Sequence, residues 1–375
     1  MEVAIIGWYG TETIGDRAIL AGLIDVLGEV FPALNVSIGS LYPFLTERTL
    51  IEDEDFYREA SHGRLGEMSV FDSRCPRQLR RAVRNADLLL VGGGPLMDLH
   101  EMNMLEYAFV QAKAYRTRSM LLGCGWGPLK DKKSLATAVR LVEMSDHAIF
   151  RDQTSVDECR AHCAAGRVSA SIDPAFFACE HFLRTVGVPR RESHVAVNFR
   201  DVAVEGTHYA NGMIPDSLFC GIVDEVSGQT DLPAYLVPMH YFTIGGDDRI
   251  VLQRIATEVG RHNVKVVHDP LSLRQTMEMF YHARACVGMR FHSVVMQTML
   301  NGNNYIVDYT DPSTGKIIGM MRQLGIVDRY RGRYVSIHGD VPCKRIDLNA
   351  SGRYVYDKSV IAKSRQAYVD VLSGL

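Results

Sequence analysis

The sequence has no long hydrophobic run and no strong excess of either charge. None of its apolar stretches approaches the ~20 residues that a membrane-spanning helix needs, so we expect no membrane span. Its 41 Lys and Arg residues against 44 Asp and Glu residues give a formal net charge of −3. This balance excludes a globally basic surface, and nucleic acid is therefore not expected as the main partner.

The amino terminus lacks the features of a secretion signal. Its first residues, MEVAIIGWYG, contain no basic leader and no small-residue cleavage site, so we expect a β-strand there instead. The eight cysteines are scattered along the chain, a pattern that is typical of reduced thiols in a cytoplasm. Together these features predict a cytoplasmic protein.

One cysteine group could be imagined as a metal site. Cys159 and Cys163 are one helical turn apart, and His162 lies between them. A closed zinc site needs a fourth ligand and usually has tighter loop spacing. We therefore favour a packed helix face and predict no metal.

The sequence does contain a regular alternation of apolar strands and helical stretches. After a strand at 3–7 and a helix at 16–31, the strand candidates of the first half lie at 34–40, 86–94, 119–125, 146–152 and 167–175. Residues 41–84 read as irregular and charged. Alternation of this kind predicts a parallel sheet covered by helices, the α/β class.

The alternation pauses at 178–193, where Gly, Pro and a charge cluster indicate a linker, and then restarts. Further strands are expected at 194–200, 233–241, 264–269, 283–288 and 303–309, with helices from 216, 247, 272, 292 and 355. A chain of 375 residues is longer than one hydrophobic core usually grows. We predict two Rossmann-like, doubly wound domains, 1–180 and 181–375, that face a cleft, with the C-terminal helix packing back on the first.

Ligands of doubly wound sheets bind at loops that follow the strands. In the first such loop, GWYGTETIGD, Gly10 and Gly15 allow tight turns, and Asp16 either caps the helix or binds a hydroxyl group. The loop lacks the complete G-x-G-x-x-G spacing of a dinucleotide site.

Two later loops of the first half add candidates. VGGGPLMD contains Gly93, Gly94 and Asp98; it is either a tight turn with a capping Asp or a place where the backbone closely approaches another group. RDQTS places Arg151 just before another helix.

In the second half, VGMRFHSVVMQTM places Arg290 and His292 at a strand-to-helix junction, and NFRD ends a strand with Arg200. A lone histidine near a helix start is more often a capping or packing residue, and an arginine there often pairs with a carboxylate. Taken together, glycine loops on one domain and two arginines with a histidine on the other suit an anionic ligand beside a polar acceptor.

The order of these motifs resembles the polysaccharide pyruvyltransferases. The resemblance is carried by the glycine loop with its GD pair, GGG-x-L-x-D, G-x-G-x-GP, RD-x-x-S, DPA and G-M-R-x-H, which span most of the chain. The first loop has TETIGD where members commonly have an asparagine before IGD. YTDPSTGK is longer than the usual Tyr-Asp-Pro-Lys form, and Lys316 is its match to the family lysine.

The resemblance implies a glycosyltransferase B-like fold and transfer of an enolpyruvyl group from phosphoenolpyruvate to two sugar hydroxyls as a ketal. That reaction needs a proton at the methylene carbon, stabilisation at C2 and departure of phosphate. His292 suits the general acid or proton shuttle, Arg290 and Arg200 suit the anionic groups, and Asp98 could orient or deprotonate an acceptor hydroxyl. No cofactor is required.

Two alternatives stay open at this point. One is a nucleotide-sugar-dependent glycosyltransferase of the same fold, and the other is a non-catalytic sugar-phosphate-binding protein. The sequence also leaves open whether the acceptor is free, nucleotide-linked or lipid-linked. Convergence of Arg200, Arg290 and His292 on one pocket would argue against the non-catalytic alternative.

Overall fold

The computed structural model describes residues 1–164, 166–203, 213–242, 246–338, 346–348 and 353–375. They group into two compact units. The first comprises Met1–Glu12, Asp16–His181 and Lys358–Leu375, and the second comprises Thr13–Gly15 and Phe182–Asp357.

The described strands of the first unit form one parallel sheet. They are β1 (Glu2–Ile6), β2 (Leu34–Ser40), β3 (Leu65–Asp72), β4 (Leu88–Val91), β5 (Pro95–Leu96), β6 (Arg118–Trp126), β7 (His147–Phe150) and β8 (Val168–Ala170). Their order is β3-β2-β1-β4-β6-β7-β8, and β5 pairs with β6. Every residue of β4 is buried, as expected for a parallel strand with both faces covered.

Eight helices lie in the described part of the first 185 residues; the first two residues of the first helix and the last four of the eighth belong to the second unit. The helices are α1 (Ile14–Val30), α2 (Pro43–Glu52), α3 (Glu54–Ala60), α4 (Pro76–Asn85), α5 (Met102–Tyr115), α6 (Lys132–Met144), α7 (Gln153–His162) and α8 (Ala175–Thr185). Residues 41–84 are therefore not irregular, because they contain α2, α3, β3 and α4. The prediction was wrong because α2 and α4 have few buried positions: α2 buries only Thr46 and Thr49, and α4 buries only Leu79 and Val83. Proline at the start of α2 and α4 was the available signal.

The expected linker at 178–193 also needs correction, since α8 continues through it as far as Thr185. The Gly, the Pro and the charge cluster that indicated a linker lie at 187–192, after the end of α8.

The second unit has its own parallel sheet. The described strands are β9 (His194–Asn198), β10 (Ala234–Leu236), β11 (Val264–Val266), β12 (Ala283–Gly288), β13 (Asn304–Asp308) and β14 (Tyr334–Ser336), in the order β11-β10-β9-β12-β13-β14. The helices are α9 (Asp216–Gly228), α10 (Asp248–Val259), α11 (Leu273–Tyr281), α12 (Phe291–Leu300), α13 (Lys316–Gln323) and α14 (Lys358–Ser373), the last of which belongs to the first unit.

Side chains of α14 pack inside the first unit. The Tyr368 hydroxyl donates a 2.6 Å hydrogen bond to the backbone oxygen of Ile172. The Arg365 guanidinium lies 2.6 Å from the carboxylate of Asp25, whose side chain is fully buried, and 3.0 Å from that of Glu180. Within the described part of the chain, every helix is too short or too polar to cross a bilayer.

Candidate functional site

The candidate site of the second unit is built on the ends of β9, β12 and β13, which are neighbours in the sheet. Because these strands are parallel, their carboxyl ends lie at the same edge. Asn198 ends β9, and its side-chain oxygen accepts a 3.2 Å hydrogen bond from the backbone N–H of Arg290, which follows β12. The Asn198 amide also donates to the Val237 oxygen at 2.9 Å, so the junction is fixed from two strands.

Arg290 is held by a buried carboxylate. Its Nε lies 2.7 Å from Oδ2 of Asp248, and its Nη2 lies 2.5 Å from Oδ1. The Asp248 side chain is 1% exposed, and the backbone N–H of Met239 donates to it at 3.0 Å. Paired in this way, the guanidinium has one orientation while its side chain remains 11% exposed.

Two further cations lie beside the ring of Tyr309, the residue after β13. The Lys316 ammonium is 5.4 Å from the ring centroid of Tyr309, and the Arg200 guanidinium carbon is 5.5 Å from it. Lys316 also lies 5.8 Å from the ring of Phe291, so the cluster is continuous with the start of α12. Contacts of this kind between cations and aromatic rings are favourable.

The pKa of Tyr309 reflects the positive charge of this cluster. Burial acts to raise the pKa of the phenol, but Lys316 and Arg200, with a smaller effect of Arg290, outweigh it and lower the pKa to about 8. The nearest carboxylate in sequence, Asp308, accepts hydrogen bonds from the Thr310 hydroxyl at 2.6 Å and the Tyr334 hydroxyl at 2.7 Å. Cationic side chains therefore dominate the surroundings of the ring.

His292 lies in the first turn of α12, and its ring centroid is 5.0 Å from that of Phe291. Gly15, which belongs to the second unit, lies directly against it: a Cβ added at Gly15 would be 2.1 Å from Nδ1 of His292. Gly15 does not form the tight turn that we expected, because it lies in the first turn of α1. Glycine is required there for the space that the imidazole occupies.

These side chains are reachable by a ligand. His292, Arg200, Arg290, Tyr309 and Lys316 are all half-buried, whereas most of α12 beyond them is fully buried. A half-buried cluster of cations with a histidine and a phenol can bind an anionic ligand and exchange protons with it.

The glycine loops of the first unit pack against aromatic side chains. Gly10 and Gly93 have φ angles of +90° and +116°, which favour glycine. A Cβ added at Gly94 would be 2.5 Å from Cδ1 of Trp8, and one at Gly93 would be 3.4 Å from the hydroxyl of Tyr9. The close approach expected at these glycines is therefore made to Trp8 and Tyr9 of the same unit.

Asp98 is exposed, and its carboxylate holds a neighbouring loop. It accepts hydrogen bonds from the backbone N–H groups of Lys130 at 2.7 Å and Asp131 at 3.2 Å. Asp98 also borders a cavity of about 240 Å³ that His100 and Lys133 help to line.

Arg151 and Asp16 lie elsewhere in the first unit. The Arg151 side chain is 5% exposed and lies 3.5 Å from the carboxylate of Asp173, in the DPA motif. Asp16 lies within the first turn of α1 and is not its capping residue. Burial raises the pKa of the Tyr9 phenol, and the nearby charge of Asp16 raises it further.

A family model for polysaccharide pyruvyl transferases matches residues 14–311, which is most of the chain. The chain belongs to the polysaccharide pyruvyl transferase family. Its members are named for pyruvyl transfer, and the coarse assignment as a transferase of polysaccharide metabolism follows from membership.

Solved structures show the fold of this pyruvyl transferase family member. It is similar to the UDP-GlcNAc 2-epimerase of Methanocaldococcus jannaschii, with 11% identity over 100% of both chains and a TM-score of 0.58. It is also similar to MnaA of S. aureus, with 12% identity, coverage of 99% of this chain and 98% of that chain, and a TM-score of 0.55. These likenesses and the two parallel sheets confirm the predicted α/β fold class of two Rossmann-like units, glycosyltransferase B-like.

In this family member, the structure brings Arg200 and Lys316 against the ring of Tyr309 and Gly15 against His292. Arg290 is near enough for its charge to lower the pKa of Tyr309. The structure does not gather the first-unit candidates into one cluster in the same way: Gly10, Gly93 and Gly94 lie in the packed glycine loops, Asp98 is exposed and Arg151 is buried.

Sequence reasoning missed three residues that shape the site. Tyr309 lies in the YTDPSTGK stretch that was recognised for Lys316 alone, so its signal was available. Asn198 directly precedes the FR of the NFRD motif. Asp248 had no signal, because an acidic residue in the first turn of a helix such as α10 is common.

Proposed function

We propose that the protein transfers a pyruvyl group from phosphoenolpyruvate to two hydroxyls of a sugar or glycan acceptor, forming a ketal. The observation that carries this proposal is the half-buried cluster of Arg200, Arg290 and Lys316 around Tyr309, with His292 in the adjoining helix turn. Membership of the pyruvyl transferase family supports the type of group transferred.

The charge of the cluster suits phosphoenolpyruvate. This donor carries a phosphate and a carboxylate on one small carbon frame, and three cations match both groups. Asp248 fixes the Arg290 fork in advance, which lowers the entropy that ligand binding must offset. We assign phosphate and carboxylate recognition to the three cations together.

The chemistry follows from the bonds that change. One acceptor hydroxyl adds to C2 while the methylene carbon gains a proton; phosphate then leaves, and the second hydroxyl adds to the resulting oxocarbenium-like carbon. We assign His292 to the proton that reaches the methylene carbon, since imidazole gains and loses protons near neutral pH. Because the reaction only replaces one carbon–oxygen bond by others, without oxidation or reduction, it requires no redox cofactor.

For the acceptor we retain Asp98 as a proposed orienting residue, because its carboxylate is exposed beside a cavity. Gly10, Gly93, Gly94, Asp16 and Arg151 stay predicted substrate-binding residues of the first unit. We further propose a cytoplasmic location, which suits the free thiols of the described cysteines.

The experiment that tests the function uses the purified full chain. It is incubated with phosphoenolpyruvate and a panel of hexoses and N-acetylhexosamines, both free and nucleotide-linked or lipid-linked. We expect release of phosphate together with a mass gain on one acceptor. Preferential binding of a nucleotide sugar, without measurable binding of phosphoenolpyruvate, would support the glycosyltransferase alternative instead.

Arg200→Ala tests the site, and Arg261→Ala is its matched control. Arg200→Ala should abolish phosphate release. Arg261→Ala should not, because Arg261 pairs with Asp224 at 2.6 Å on the surface of the same unit. Equal activity of both variants would show that the anion binds elsewhere.

A further inference from the structure

Tyr309 lies between β13 and α13 and contacts two cationic side chains. Its ring lies 5.4 Å from the ammonium of Lys316 and 5.5 Å from the guanidinium of Arg200, the cations that the proposed function assigns to the donor. We infer that Tyr309 is a second catalytic acid–base residue, which gives a proton to the departing phosphate and takes one from the second acceptor hydroxyl. This inference rests on the proposed pyruvyl transfer.

The overall reaction moves two protons. Two acceptor hydroxyls lose their protons; one proton ends on the methylene carbon, and the other ends on the released phosphate. We assigned His292 to the first transfer only. A group beside the phosphate can carry the second, and Tyr309 lies among the cations assigned to that phosphate.

The step balances in protons and electrons. As the bond between C2 and the phosphate oxygen breaks, its electron pair goes to that oxygen, which takes the proton of the Tyr309 hydroxyl. The phenolate then accepts the proton of the second hydroxyl as the oxygen of that hydroxyl bonds to C2. The phenol is regenerated, and no oxidant or reductant takes part.

The charged groups that face Tyr309 come from several elements. Lys316 begins α13, Arg200 follows β9, and Arg290 precedes α12 with its charge balanced by Asp248. Each of the three favours the phenolate.

Asp308 and His338 also adjoin Tyr309. The carboxylate of Asp308 is engaged by Thr310 and Tyr334. Nε2 of the His338 ring lies 3.3 Å from the backbone oxygen of Tyr309. With its pKa lowered to about 8, the phenol can exchange its proton close to neutral pH, where a catalytic acid–base group works best.

A structural role for the ring predicts something different. If Tyr309 only held Lys316 and Arg200 in place, its aromatic face would suffice, and the hydroxyl would be dispensable. Tyr309→Phe separates the two roles because it keeps the ring and removes the hydroxyl. Tyr305→Phe is the matched control: Tyr305 lies on β13, the strand that Tyr309 directly follows, and its hydroxyl donates to the backbone oxygen of Asp347 at 2.8 Å.

The experiment measures three quantities on wild type, Tyr309→Phe and Tyr305→Phe. These are the affinity for phosphoenolpyruvate, the rate of phosphate release with the best acceptor of the panel as a function of pH, and ultraviolet titration of tyrosine ionisation. We expect Tyr309→Phe to bind phosphoenolpyruvate within about threefold of wild type and to lose about a hundredfold in kcat.

The pH dependence gives the specific signature. In wild type, kcat/KM should fall as pH rises through about 8, because a general acid must be protonated, and the tyrosine titration should contain one ionisation in that range. Tyr309→Phe should lose both features, and Tyr305→Phe should keep both.

Two results would overturn this inference but leave the proposed function standing. In the first, wild type is active and Tyr309→Phe keeps the decrease of kcat/KM at alkaline pH. In the second, the ultraviolet titrations of wild type and Tyr309→Phe are identical. Lost donor affinity in Tyr309→Phe with unchanged kcat would assign the residue to binding instead. A wild type that neither binds phosphoenolpyruvate nor releases phosphate from it would overturn the proposed function and this inference with it.

Discussion

Arg290 and Asp248 form a two-pronged ion pair in which Nε and Nη2 of the arginine each contact a carboxylate oxygen, at 2.7 Å and 2.5 Å. The carboxylate is buried, and the guanidinium is near enough to Tyr309 for its charge to lower the pKa of the phenol. From sequence, Arg290 was considered either as a partner of a carboxylate or as a functional residue. The structure shows the ion pair, which fixes the orientation of the arginine, and the functional role stays a prediction.

Replacing either arginine of the cluster by lysine should weaken donor binding although the charge is retained. The planar fork of Arg200 can bind phosphate or carboxylate at two points, and that of Arg290 binds Asp248 at two points, which fixes its orientation. Lysine can do neither. We expect Arg290→Lys and Arg200→Lys each to raise the Kd for phosphoenolpyruvate by about ten- to a hundredfold. Calorimetric titration measures this, with Arg261→Lys as the control; unchanged affinity in both cluster variants would mean that the anion binds at another place.

Asp248→Asn should destabilise the second unit. It removes the charge partner of Arg290 and leaves that guanidinium largely buried without compensation, which costs about 3 kcal/mol in comparable pairs. Urea unfolding followed by circular dichroism measures the change. Asp224→Asn breaks an exposed pair with Arg261 and should cost less than about 1 kcal/mol; equal losses would contradict the assignment of Asp248 as a buried support.

His292→Ala separates catalysis from packing. If His292 carries the proton for the methylene carbon, the variant should bind phosphoenolpyruvate nearly normally and lose about two to four orders of magnitude in turnover. A histidine that merely packs would show lower thermal stability with near-normal specific activity. Melting temperature, donor affinity and turnover are measured on the same preparation, and a stable, fully active variant would remove His292 from the mechanism.

Gly15→Ala should reduce activity through His292. The added methyl group would lie 2.1 Å from Nδ1, so the imidazole must move, although alanine is the better helix former by about 1 kcal/mol. We expect a loss of turnover with little loss of stability. In the His292→Ala background the same substitution should have little further effect on turnover, and full additivity of the two losses would argue against this contact.

How far the sequence predicts the site depends on the distance along the chain between its parts. Arg290 and His292 are two positions apart, and their strand-to-helix junction was predicted from β12 and α12 alone. Arg200 and Tyr309 follow strands that are separated in the sheet only by β12, so their meeting depends on the strand order β9-β12-β13. Alternation of strands and helices predicts the fold class, but it does not specify that order.

The errors have a local physical cause. The helices α2 and α4 each bury only two residues, Thr46 and Thr49 in α2 and Leu79 and Val83 in α4, so this stretch offers few of the buried apolar positions that indicate a helix. In the glycine loops, glycine was correctly associated with a close approach, but sequence alone did not reveal that Trp8 and Tyr9 occupy the space beside Gly93 and Gly94.

The helix α14 makes the first unit discontinuous in the chain. Arg365 pairs with Asp25 and Glu180, and the Tyr368 hydroxyl donates to the backbone oxygen of Ile172. Both Arg365 and Tyr368 follow the second unit in the chain. During synthesis from the amino terminus, the second unit therefore leaves the ribosome before the first unit has its last helix. The unit that is made first is completed last, and until then the fully buried carboxylate of Asp25 lacks its arginine.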